Sequence, residues 1–135
     1  LGNVVFRKVD FTHTWDNEPG ECVDWSAGSV NLVITHSPGH APGHVTIHGH
    51  GVYHAGDLLF VRSAGRVDLP GGDPRAQQRS LVRAKEILSG LPVDWRLIPG
   101  HRYDNFRGEV PDWISLDDVL QHNYFLAHIT MPGED

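Results

Sequence analysis

The sequence predicts a mixed α and β domain, with strands in its first half and then a helix, a strand and a second helix. Three observations carry this reading. Residues 30–35, Val-Asn-Leu-Val-Ile-Thr, form a β-branched aliphatic run of strand length. Pro38-Gly39 and Pro42-Gly43 make the following stretch an irregular loop that no helix can cross. Asp73-Pro74 is a helix start, with Asp as N-cap and Pro at the first helical position. At 135 residues the chain holds one domain at most. Apolar residues make up 39%, and 15 glycines bring the total near the globular range, so a core can form.

The elements follow in order. Residues 3–9 read as a strand on Val4, Val5, Phe6 and Val9, and residues 16–20 as a turn. The strand over 30–35 ends in the loop His36-Ser37-Pro38-Gly39-His40-Ala41-Pro42-Gly43-His44. Residues 45–48 and 51–55 flank Gly49-His50, a hairpin pattern. Gly56-Asp57 ends the second of these strands, and Leu58-Leu59-Phe60 follows. The helix from Asp73 carries a stripe of Leu81, Ala84 and Leu88, with Val82 and Ile87 beside it. Gly90 is placed as its C-terminal cap, and Pro92 prevents continuation. Residues 95–98 form a short strand running into Pro99-Gly100-His101. A second helix begins near Ser115, where Ser115 and Asp118 have capping-box spacing ahead of Val119 and Leu120.

Charge and composition exclude several functions. Eleven basic against 17 acidic residues leave a net charge of −6, and no basic run offers a nucleic-acid face. No apolar run approaches the length of a membrane span, and no secretory signal is expected on the reading of residues 1–6. Cys22 is the one cysteine, which rules out an internal disulfide framework and a CxxC metal site. A reducing, cytoplasmic location is the expectation. Residue 1 is Leu and the single Met is Met131, so the chain is expected to be a fragment, a processed chain or an excised domain.

Ten histidines are the unusual feature, since imidazole is the commonest metal ligand and the natural acid–base group near neutral pH. Three polar residues lie just past strand-like segments, each after a glycine: Gly39-His40, Gly56-Asp57 and Gly100-His101. Loops at strand ends are where rigid scaffolds place reactive groups. Two imidazoles and a carboxylate suit Zn²⁺ or Fe²⁺. Spacing alone leaves a second reading open, in which they are hydrogen-bonded turn residues.

Residues 37–44 (Ser-Pro-Gly-His-Ala-Pro-Gly-His), then Gly56-Asp57-Leu58-Leu59-Phe60, then Pro99-Gly100-His101 resemble the third, fourth and fifth motifs of the metallo-β-lactamase superfamily. The segment between the last two, residues 65–73, is similar to its glyoxalase II-like and persulfide dioxygenase-like branches. The resemblance implies an αββα sandwich and a metal-dependent hydrolase of thioesters or related activated esters. It implies zinc, two ions in a complete domain, with iron as the alternative. It assigns His40 to the first metal, Asp57 as the bridging and catalytic carboxylate, and His101 to the second metal. His101-Arg102-Tyr103 makes Tyr103 a candidate contact to the substrate, such as a glutathione thioester.

The family's His-x-His-x-Asp-His motif is absent. Its nearest imitation starts at His13, only 27 residues before His40, too close for the elements that normally intervene. Residues 9–22 therefore read as the ordinary turn and strand ahead of the third motif. Residues 1–135 read as one partial domain, the C-terminal half of the fold, with a sheet face left uncovered. A dimer or a partner segment completing the site is expected. Competing readings are an iron-dependent persulfide dioxygenase-like enzyme, a lactonase, and an inactive metal-free fragment.

Other residues take structural expectations. His48 and His50 read as solvent-facing imidazoles of a hairpin tip, His54 as a packed histidine, and His44 as a support for the site. His36 is expected to end its strand by hydrogen bonding, and Arg66 with Asp68 to clamp a loop beside the site. Asp117 and Asp118 suit a solvated first helical turn. The stretch His122-Asn123-Tyr124-Phe125-Leu126 is assigned to packing, and Trp15, Trp25, Trp95 and Trp113 to core or edge packing.

Overall fold

The computed structural model describes residues 10–131. The strand expected over residues 3–9 lies outside them. The described elements are β1 (Cys22–Ala27), β2 (Val30–His36), β3 (Val45–Gly49), β4 (Val52–Gly56), α1 (Pro74–Ser89), β5 (Arg96–Pro99), β6 (Ile114–Ser115), α2 (Leu116–His122) and α3 (Tyr124–Ala127). The strands form one six-stranded sheet in sequence order. Neighbours pair antiparallel except β4 and β5, which are parallel and joined through α1.

Two elements differ from expectation. The strand before the Pro-Gly loop's own strand is Cys22–Ala27, where residues 9–22 had been expected to hold it. Its signal is a period-2 pattern, with Val23 and Trp25 half-buried between exposed neighbours. The hairpin turn is His50-Gly51, one residue later than expected, because Gly49 still pairs with Val52. His50 and Gly51 have φ of 51° and 81°, the pair of positive values that a two-residue hairpin turn requires.

Sequence chemistry sets the rest. The Asp73 side chain accepts from the N–H groups of Arg75 and Ala76, and Pro74 stands at the first helical position. Gly90 caps the far end, its N–H donating to the Ile87 and Leu88 carbonyls. Leu81, Ala84 and Leu88 join Tyr53, Ala55 and Leu97 of the sheet, and Leu116, Val119 and Leu126 of the last helices, in one core. Each fully buried leucine contributes about 1.5–3 kcal/mol to holding α1 on the sheet. The opposite sheet face is only half covered: Ile47 and Ile98 are half-buried, and His54 between them is exposed.

This arrangement collects three loops at one end. Gly56 and Pro99 are register partners at the ends of parallel strands, so Asp57 and His101 leave the sheet side by side. The antiparallel β3 begins at that same end, which brings the loop of residues 37–44 to them.

Candidate metal centre

The loop carrying His40 is tied down by its own polar atoms. The Ser37 N–H donates to the His44 carbonyl at 2.9 Å, and His36 Nε2 donates to the Pro42 carbonyl at 2.8 Å. The start of α1 holds the loop from below. The Asp73 N–H donates to the Gly39 carbonyl at 2.8 Å, and Ser80 Oγ donates to the Pro38 carbonyl at 2.6 Å.

At the centre lies Asp57. One carboxylate oxygen, Oδ1, meets His101 Nδ1 at 2.7 Å, and the other, Oδ2, meets His40 Nε2 at 3.2 Å. His40 is oriented by its second nitrogen, since Nδ1 lies 2.7 Å from the Arg66 carbonyl. The contact of Nδ1 with that carbonyl fixes the ring's orientation and turns Nε2 toward the carboxylate, the usual way a ligating imidazole is aimed. The Asp57 N–H donates to His44 Nε2 at 3.0 Å. Burial pushes the His44 pKa down, with the Asp57 charge opposing. His44 is thus neutral near pH 7 and accepts that N–H.

Glycines leave the room for these contacts. A Cβ on Gly65 would meet the Asp57 carbonyl oxygen at 1.9 Å, and one on Gly100 would meet Asp57 Oδ1 at 2.6 Å. Gly56 has φ of +54°, and a Cβ there would meet His44 Nε2 at 2.6 Å.

The cleft is lined by His40, Asp57, Phe60, Ser63, Ala64, Gly65, Arg66, His101 and Tyr103. Tyr103 stacks on His101, with ring centroids 6.1 Å apart, and Phe60 packs edge-on against both. The structure therefore brings together all four residues that the sequence singles out. Arg66 and Asp68 form the expected clamp, with two contacts of 2.7 Å. The Arg66 guanidinium holds the Asp68 carboxyl down at about 2.

Phe60, the Arg66 carbonyl, Gln77 and Asn123 are supports that sequence reasoning missed. Gln77 is buried in α1 and donates to the Gly65 carbonyl at 3.2 Å. Asn123 is fully buried, donates to the Phe60 and Ser63 carbonyls, and accepts from the Phe125 and Leu126 N–H groups. A polar residue in a run assigned to packing was the available signal.

Two histidines correct the expectations. His48 is not solvent-facing: it is 8% exposed and stacks on Tyr53. Register places His48 opposite Tyr53, on the core side of the sheet. His54 is exposed and not packed, because it falls on the other face. His50 is pinned sideways, with Nε2 accepting the Asn31 N–H.

The donor set fits a metal in part. Among the described residues no three His, Cys, Asp or Glu side chains converge on a common ion. They stand in a row instead, imidazole–carboxylate–imidazole, with one carboxylate oxygen toward each ring. By themselves these three side chains fall short of the four ligands that zinc takes.

The metallo-beta-lactamase superfamily matches residues 6–101, and the chain belongs to that superfamily. Its relatives support the glyoxalase II-like branch. It is 36% identical to a hydroxyacylglutathione hydrolase of Aeromonas salmonicida over 86 residues, 64% of this chain and 31% of that enzyme. The crystal structure of BLEG-1 B3 metallo-beta-lactamase superposes with a TM-score of 0.65 at 30% identity, covering 85% of this chain and 48% of that one. TTHA1623 in a di-iron-bound form gives a TM-score of 0.55 at 39% identity, covering 70% and 42%. The chain thus spans about a third of the first curated relatives and about half of these solved chains. No described helix is long and apolar enough to cross a membrane.

Proposed function

We propose that His40, Asp57 and His101 form this chain's share of a metal-dependent hydrolase centre acting on thioesters or related activated esters. The observation that carries the reading is the Asp57 carboxylate held between two imidazoles, one per oxygen, at the head of an open cleft. Zinc or iron held by these residues would supply Lewis acidity to polarise a carbonyl and acidify water. Asp57 orients the nucleophile, its backbone fixed by His44 and its carboxylate by both rings. The Arg66 carbonyl holds the His40 ring in one orientation. Tyr103 and Phe60 wall the side of the cleft where the substrate lies.

The reaction adds water across the acyl–sulfur bond: the C–S bond breaks, a C–O bond forms, and the thiol leaves with a proton. Ligands beyond these three come from a partner segment or a second copy of the chain. The likeness to the Aeromonas salmonicida enzyme supports the thioester class. The test is thiol release from a glutathione thioester and from simpler thioesters, with oxygen uptake on glutathione persulfide measured beside it. Thioester cleavage lost in Asp57→Ala is expected. Oxygen uptake without thioester cleavage would overturn the reading in favour of a dioxygenase.

A further inference from the structure

The first two turns of α1 present polar groups to the loops of the centre. The Asp73 N–H donates to the Gly39 carbonyl at 2.8 Å, Ser80 Oγ to the Pro38 carbonyl at 2.6 Å, and Gln77 Nε2 to the Gly65 carbonyl at 3.2 Å. Positions 73, 77 and 80 share one side of the helix. Gln77 touches two loops at once. Its amide grips Gly65, and its backbone lies against Gly39, where a Cβ would collide with Gln77 N and Cα.

Those two glycines stand on either side of the contact that aims His40. Gly39 precedes His40, and Gly65 precedes Arg66, whose carbonyl meets His40 Nδ1 at 2.7 Å. A Cβ on Gly65 would itself lie 3.1 Å from that nitrogen. One residue of α1 thus backs both the loop that carries the ring and the loop that orients it. The direction of the amide follows from its partner. Turned about, it would set Oε1 against the Gly65 carbonyl, two acceptors face to face.

Packing alone would not choose glutamine here. Gln77 is 6% exposed and stands one turn before Leu81, among the buried residues of α1. An apolar side chain suits that place, whereas the amide leaves Oε1 buried without a partner. Resting on the metal-centre reading above, we infer that Gln77 is a positioning residue for His40. By tying the Gly65 backbone to α1, it holds the ring in the orientation that turns Nε2 toward Asp57.

The experiment is NMR on the full chain with isotope-labelled histidine and glycine, freed of metal by a chelator. The unaltered protein is expected to show a nuclear Overhauser contact between the His40 ring and Gly65 Hα, and a rigid ring by ¹³C relaxation. Gln77→Met keeps the length of the side chain and removes the N–H. Gln77→Glu keeps its shape and replaces the donor with an acceptor. Both are expected to lose the contact and free the ring while the core signals stay in place. Ile87→Ala truncates a core contact in the last turn of α1, away from both loops, and is expected to lower the melting temperature yet keep the contact. An unchanged contact and a rigid ring in the Gln77 variants, or the same loss in Ile87→Ala, would overturn the inference. No metal or substrate enters the measurement, so its failure overturns the role of Gln77 alone, whereas failed thioester cleavage overturns the hydrolase reading.

Discussion

At Asp57 three constraints meet in one residue. Its N–H is taken by His44, and its two oxygens by His101 and His40. The neighbouring glycines leave no room for a Cβ. His40, Asp57 and His101 were candidates in the sequence because each follows a glycine at a strand end and sits in a motif resembling the superfamily's, and the crowding shows why Gly56 and Gly100 stand before the last two. The Arg66 carbonyl was not legible, because any residue supplies a carbonyl and only the folded loop aims it. His48 was misread for a related reason. Near a turn, an imidazole looks solvent-facing until strand register fixes its side.

His48 carries a prediction. Burial lowers its pKa, and its Nδ1 lies buried without a partner. The unfolded imidazole takes up a proton near pH 6.5, while the folded one resists it to lower pH. The unfolded state then binds more protons, so the stability contribution is present above pH 6.5 and is lost as pH falls below it. Denaturant unfolding at pH 7.5 and pH 5 is expected to show a smaller acid loss in His48→Phe than in the unaltered protein. An equal loss in both would place the acid sensitivity elsewhere.

Among the elements, α1 was read almost residue for residue, since its caps and its stripe are local signals. The hairpin turn was displaced by one residue because His50 takes a positive φ that is uncommon for its type. The four-residue α3 was not foreseen at all. It is too short to show a period and depends on Asn123, which caps it and also holds the 60–63 loop. Asn123→Ala is therefore expected to cost more than a helix cap. Each buried group left without a partner costs about 1–3 kcal/mol, against about 1 kcal/mol for an ordinary cap. Thermal unfolding would measure the loss. A loss no larger than that of Asp73→Ala, which removes only the cap of α1, would show that the loop does not depend on Asn123.

For the molecule as a whole, one sheet with helices on one face explains both what the chain offers and what it needs. Parallel β4 and β5 end together and present Asp57 beside His101, while the loop between β2 and β3 adds His40. The other face, with half-buried Ile47 and Ile98 around exposed His54, is where further chain would add cover. The class of fold could be read from motif order, as could the choice of His40, Asp57 and His101 as candidates. The row-like disposition of the trio could not, because it depends on how three loops from distant parts of the chain converge.

The most direct test of the central claim is metal content by mass spectrometry, on the protein purified without an affinity tag, beside His40→Ala and Asp57→Ala. The account predicts zinc or iron in the unaltered protein and its loss from both variants, with thermal unfolding confirming that both still fold. No metal in the unaltered protein, or equal metal in all three, would contradict it.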